Sequence, residues 1–127
     1  MTAKEIITKV IAAINPEGIK ASIKDPEAKA FELVVYFMEI DGKVNFDFKL
    51  WKINEEGIEF GDVATIGQTQ LVLAADELTD LLTNDISGEV NDLLTTFMKD
   101  KGVIATPIGT INRTSIQSGN YIYKFTV

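Results

Sequence analysis

An α+β fold is predicted by three observations along these 127 residues. The first segment carries apolar residues at helical spacing behind a capping box. Two runs of alternating apolar and polar residues then flank an Asp-Gly turn, and helical spacing returns between Asp76 and Met98. The expected architecture is an antiparallel sheet built around a central β-hairpin, packed by an N-terminal helix and two mid-chain helices. The length fits a single α+β domain, 1–127, able to bury roughly two-thirds of its unfolded surface. Hydrophobic residues at 46% and charged residues at 24% match globular averages and argue against a disordered chain.

The N-terminal helix starts at Thr2 and Glu5, whose side chains can each satisfy an orphan amide of the first turn. Ile6, Ile7, Val10, Ile11 and Ile14 make its apolar stripe, and Pro16 and Gly18 are expected to stop it. Phe31–Ile40 and Lys43–Ile53 form the hairpin. Asp41-Gly42 between them suits a type I′ turn, in which both central residues take positive φ. That turn makes paired positions sum to 83. Phe31, Leu33, Val35 and Phe37 then face Lys52, Leu50, Phe48 and Phe46, a core surface under the first helix. The other face sets Glu32, Val34, Tyr36, Met38 and Ile40 against Trp51, Lys49, Asp47, Asn45 and Lys43.

This second face is apolar on one strand and charged on its neighbour. Such mixtures, with aromatic and Met residues beside charges, resemble protein–protein contact surfaces. A second helix over the apolar part, with lysines snorkelling at the rim, is the competing expectation and the favoured one, because two more helices need a place to pack.

Asn54–Gly57 reads as a turn, Ile58–Phe60 as a short strand, and 61–70 as an irregular stretch too polar and glycine-punctuated for core. Leu71–Leu73 reads as a short buried run. Leu78, Leu81 and Leu82 mark one helix, with Asp76, Glu77 and Asp80 early, as the helix dipole favours. Val90, Leu93, Leu94, Phe97 and Met98 mark the next, ended by Lys99, Lys101 and Gly102. Residues 103–119 are rich in Thr, Ser and Asn, with isolated Ile at 104, 108, 111 and 116, and read as an extended arm or loop. Ser118-Gly119-Asn120 reads as a hairpin turn into Tyr121–Val127, a strand alternating Tyr121, Tyr123, Phe125 and Val127 on one face and offering an edge for β-addition.

The chemistry available is narrow. The chain has neither histidine nor cysteine, so Cys-His and Ser-His-Asp devices, dithiol redox pairs and the usual zinc, copper and haem ligand sets are excluded. Asp76, Glu77, Asp80, Asp85, Glu89 and Asp92 could hold a divalent cation, but acidic residues at helix starts are expected from electrostatics alone. Asp41–Asp47 has oxygen-bearing residues at alternate positions like a calcium loop; Lys43 at a ligand position and strand alternation argue against it. Glu32 or Glu39 could be a raised-pKa carboxyl of a glycosidase pair only within a cleft. The 61–67 segment lacks both the Gly-Lys-Ser/Thr and the GxGxxG phosphate patterns. Asn112-Arg113-Thr114 matches a glycosylation sequon, yet no signal-peptide pattern precedes it. No metal and no cofactor is therefore expected.

Nineteen acidic against twelve basic residues give a net charge of −7, and Arg113 is the single arginine. Lys20, Lys24 and Lys29 are each separated by neutral or acidic residues, so nucleic acid is not an expected partner. No apolar run approaches the roughly 18 residues of a membrane span. The expected location is the cytoplasm, without a membrane partner.

The order of helix, antiparallel strands and further helix resembles, in element order alone, small adaptor and accessory proteins of phage particles. That resemblance implies a structural subunit, in the virion in that case. The expected function is thus non-enzymatic assembly through protein–protein contacts with itself or other subunits. Its candidate interface is Tyr36, Met38, Trp51, Arg113, Tyr121 and Tyr123. A cytoplasmic small-ligand-binding domain without catalysis is the alternative, and a carboxylate enzyme a third reading.

Overall fold

The hairpin expected across Asp41-Gly42 lies at the heart of a five-stranded antiparallel sheet of order β3-β2-β1-β5-β4. The computed structural model describes residues 1–115 and 117–127; Ile116, one of the isolated isoleucines of the 103–119 segment, lies outside the described residues. β1 (Ala30–Ile40) and β2 (Lys43–Ile53) pair with positions summing to 83 throughout, from Ala30 opposite Ile53 to Ile40 opposite Lys43. Asp41 and Gly42 have φ of 52° and 77°, as a type I′ turn requires. The Glu39 carboxylate accepts the Gly42 N–H at 2.7 Å and holds the turn from below.

Four helices pack on one face of this sheet. α1 (Ala3–Val10) begins at the expected capping box: the Glu5 amide donates to Thr2 Oγ1 at 3.2 Å, and the Thr2 amide to Glu5 Oε1 at 3.1 Å. A single 3-10 turn (Ile11–Ala13) follows. Pro16 does end this first helical segment, but it also opens another. α2 (Pro16–Ile23) has Pro16 in its first turn, where no amide hydrogen is needed, and Asn15 Oδ1 accepts the Glu17 N–H at 3.1 Å. Gly18, expected as a stop, sits inside α2 because it packs there on Ile66: an added Cβ would lie 3.0 Å from Ile66 Cγ2.

α3 (Ala75–Thr83) and α4 (Ser87–Asp100) fall where helical spacing placed them. α3 ties down the start of α1: Asp80 Oδ2 accepts the Ala3 N–H and Glu77 Oε2 the Met1 ammonium, both at 2.7 Å. Ile6, Ile7, Val10, Ile19, Leu81, Val90, Leu94 and Met98 from the helices form one buried cluster with Phe31, Leu33, Val35 and Phe37 of β1.

Three segments depart from the sequence expectation. The stretch 61–70 belongs to β3 (Glu59–Val72), an edge strand interrupted by two bulges opposite β2. Gly61 (φ 69°) lies in the first, and Ile66 is the extra residue of the second, between Thr65 opposite Lys49 and Gly67 opposite Phe48. Bulges break period two, and an edge strand keeps its polar residues in water, so the segment reads as irregular. Within the expected buried run 71–73, Val72 is 75% exposed. The 103–119 segment is no arm. It contains β4 (Thr106–Thr114), paired along β5 (Ser118–Thr126) with a bulge at Ile108. Ser118-Gly119-Asn120, expected as a turn, already belongs to β5. β5 lies between β1 and β4, so the free edge on that side is β4, and β5 offers none.

The second bulge is where helices and sheet lock together. The Ile66 carbonyl accepts the Asn15 N–H at 2.6 Å, and a Cβ on Gly67 would stand 2.3 Å from the Ala13 carbonyl oxygen. Gly67→Ala is expected to lower unfolding free energy by about 3 kcal/mol, since backbone cannot yield as a side chain can. Gly88→Ala, which meets nothing within 4 Å in the first turns of α4, should be neutral to stabilising by about 0.5 kcal/mol. Urea unfolding of the two variants checks the pair; a Gly67→Ala loss below about 1 kcal/mol would show that this approach is not tight.

Candidate functional site

Among the described residues, no helix covers the side of the sheet away from the core, which overturns the expectation that one covers its apolar part. Val34 is buried yet stands apart from the main core cluster, shielded on this outer side by neighbouring side chains. Met38 and Ile40 are each half exposed, at 50%. The helices instead all bury their stripes against the Phe31–Phe37 side, whose aromatic and aliphatic residues outweigh the charges of the other.

Cross-strand register arranges this open face in rows. One row runs Gln68, Asp47, Tyr36, Asn120, Arg113 from edge to edge. The rows beside it are Gln70, Asn45, Met38, Ser118 on one side and Thr65, Lys49, Val34, Ile122, Ile111 on the other. A hollow of about 500 Å³ opens over the first of these, lined by Tyr36, Met38, Asp47, Arg113, Ser118 and Asn120 among others. Its size is that of a small-molecule site.

The hollow has a definite polar character. Asp47 Oδ2 lies 3.4 Å from the Lys49 ammonium, which also donates to Thr65 Oγ1 at 3.1 Å. Asp47 Oδ1 and Asn120 Oδ1, on the two sides of Tyr36, are buried and accept no hydrogen bond from any described residue. Buried polar atoms are rarely left so. Arg113, at the end of the row, has no ion-pair partner among the described residues. Beneath the hollow, on the helix side, Gly119 leaves room for its cross-strand partner Phe37: a Cβ there would come within 2.7 Å of Phe37 Cζ and 3.0 Å of the Arg113 carbonyl.

Of the six candidate interface residues, the structure brings Tyr36, Met38 and Arg113 together around this hollow. Trp51 shares the face but sits opposite Glu32, four residues along β1 from Tyr36, or about 13 Å at strand rise. Tyr121 and Tyr123 are misplaced by the sequence reading: both are fully buried on the helix side. Their odd positions pair with Val35 and Leu33, so they point with the core. Tyr121 lies tilted against Phe37 at 5.8 Å, and Tyr123 stacks on Phe125 at 5.4 Å. Asp47 was legible on the mixed face from the hairpin register. Asn120 and Ser118 were not, because nothing in the turn chemistry tells that β5 pairs with β1.

Glu77 and Asp80 of α3, and Asp85 just before α4, have structural work. Hydrogen bonds from the Met1 ammonium and the Ala74 amide hold the Glu77 carboxyl below its ordinary range. Asp85 is lowered by the Ser87 hydroxyl and amide, which it receives at the start of α4. Among the described residues, no three His, Cys, Asp or Glu side chains converge as a metal site would need. Glu39 serves the hairpin turn, and Glu32 sits in register between Trp51 and Lys124. A second, wider cavity of about 650 Å³ lies between the start of α4 and β4, lined by Glu89, Asn91, Asp92, Pro107 and Ile108 among others. No helix among the described residues is long and apolar enough to cross a membrane. Comparison with known proteins finds no matching family model, no similar curated protein and no similar solved structure.

The two buried tyrosines differ in one respect that can be measured. The Tyr123 hydroxyl shares a hydrogen bond with Thr95 Oγ1 at 2.7 Å, whereas the Tyr121 hydroxyl has no partner among the described residues. Burial, with Asp85, Asp80 and Glu89 nearby, pushes the Tyr121 phenol up to about 12. Tyr121→Phe should leave stability unchanged or raise it by about 1 kcal/mol, and Tyr123→Phe should lower it by about 1 kcal/mol. A raised phenol favours the protonated folded state. Its stabilisation is complete below the ordinary pKa of 10 and lost as pH climbs from there towards about 12. Tyr121→Phe should therefore flatten the alkaline limb of a stability–pH curve over that window; an unchanged limb would refute the assignment.

Proposed function

We propose that this chain is a non-enzymatic structural subunit that works through protein–protein contacts, with itself or with other members of a larger assembly. The observation that carries this is the sheet face left without helices, where Tyr36, Met38, Ile40, Trp51 and Ile122 are interleaved with Lys43, Lys49, Asp47 and Lys124. Aromatic and Met residues within a polar surround are the composition of contact surfaces. A surface kept only for water would not retain Met38 and Ile40 half exposed.

The β4 edge extends the same surface. Ile108 and Ile111 are exposed there at 61% and 40%, and Arg113 is the only charge along the strand. Proteins usually blunt a free edge with charge, proline or bulge. β4 has Pro107 and a bulge at one end and leaves Thr110–Asn112 plain, which suits strand addition by a partner. The acidic balance of the chain supports protein partners over nucleic acid. An accessory role in a virion-like particle, or in a cytoplasmic complex, fits this reading.

One observation favours a second reading. The hollow beside Tyr36, with its unpartnered oxygens, supports a small-ligand-binding domain without catalysis.

The assembly reading is tested by the native mass of the purified chain over a hundredfold range of concentration. A discrete oligomer is expected, and Trp51→Glu or Met38→Glu should weaken it at least tenfold by placing an unpaired charge in the contact. A strict monomer, or an oligomer indifferent to both substitutions, would rule out self-association through this face.

A further inference from the structure

We propose that the hollow beside Tyr36 binds a neutral polyhydroxylated ring, a saccharide. The inference deepens the ligand-binding reading above by naming the chemical class the site would take.

The donors and acceptors of the hollow set the class. Among the described residues, Asp47 Oδ1 and Asn120 Oδ1 are acceptors without donors, one on each side of Tyr36 in the same cross-strand row. Their backbones stand two strand spacings apart, about 10 Å, and both side chains line the hollow. Each oxygen is closed to solvent as it stands. The terminal torsion of Asp and Asn is soft, and in the proposed complex it turns to offer the oxygen to the ligand. Arg113 at the end of the row is a donor only. An occupant that both donates and accepts around its rim can use the two oxygens and the exposed Arg113 together. Hydroxyl groups do both.

Charge argues for neutrality. A cation would find Asp47 already beside the Lys49 ammonium at 3.4 Å. An anion drawn to Arg113 would bring its charge into a hollow that Asp47 also lines. A neutral ligand adds no charge beside either group.

The middle of the row decides the shape. Tyr36 lies between the two acceptors, flanked by Met38. A ring with an apolar C–H face and a hydroxylated rim can rest on this aromatic centre while its rim reaches Asp47 and Asn120. Linear polyols lack the face, and plain hydrocarbon aromatics lack the rim.

The test is an amide-resonance titration of the full chain with glucose, galactose and N-acetylglucosamine, and with short oligomers of each. Glycerol and N-acetyl-leucine methylamide serve as linear-polyol and peptide probes. At least one saccharide should give saturable shifts centred on Tyr36, Asp47, Arg113 and Asn120 at millimolar concentration. Tyr36→Ala and Asn120→Ala should each weaken binding at least fivefold. Asn120→Ala removes an oxygen that bonds to no described residue, so it should bind worse without being less stable, which a merely structural role would not give. Tighter binding of oligomers than of single rings would identify a glycan as the source; equal binding would identify the free sugar. Saturation by the capped leucine with none by sugars would overturn the saccharide and leave the ligand-binding reading standing. Shifts by glycerol equal to those by the rings would also overturn it. Silence from every probe would overturn both.

Discussion

Backbone meets backbone where the bulge of β3 receives the junction between α1 and α2, and the remainder of the molecule is arranged around that contact. Ile66 is the residue the bulge adds. Its side chain is buried among the helices while its carbonyl takes the Asn15 amide. Gly67 lets the Ala13 carbonyl approach closer than any side chain would allow. This clamp turns the chain from the 3-10 turn into α2 and fixes both helices to the same side of the sheet. With α3 and α4 bonded to α1 and to the β4–β5 pair, all four helices share one face. The other face is left uncovered by construction.

How much was legible in the sequence follows from which signals are local. The Asp-Gly turn demands positive φ at both positions, and that one requirement sets the register of the whole hairpin, residue by residue. Capping-box chemistry and helical spacing likewise located α1, α3 and α4. Pro16 carries two meanings, since it can neither continue a helix nor hinder the start of one, and the second meaning was hidden behind the first. β3 and β4 were hidden for another reason. They are edge strands with bulges, so neither alternation nor burial marks them.

The candidate site was half legible for the same physical cause. Alternation says that Tyr36 and Phe37 point opposite ways; it does not say which side the helices take. Tyr121 and Tyr123 were assigned to a surface because aromatic strand residues suit surfaces and cores equally well. Only pairing with Val35 and Leu33 places them inside. The polar partners of Tyr36 come from strands far apart in the chain. Asn120 and Arg113 join Asp47 through non-local pairing, and no short motif encodes that.

The strand order has a bearing on how the molecule is made. β1, β2 and β3 follow one another and can pair as a meander as soon as they leave the ribosome, whereas β1's other neighbour, β5, comes last. From the synthesis of Val35 until that of Tyr121, one side of the most apolar strand has no partner in the nascent chain. Loop-closure entropy makes this final insertion the slow one. The nascent meander thus holds a sticky edge open until β5 is made. α3 and α4 are synthesised inside that interval and pack on the same side of the sheet, so they are in position to guard the growing core before β5 arrives to close it.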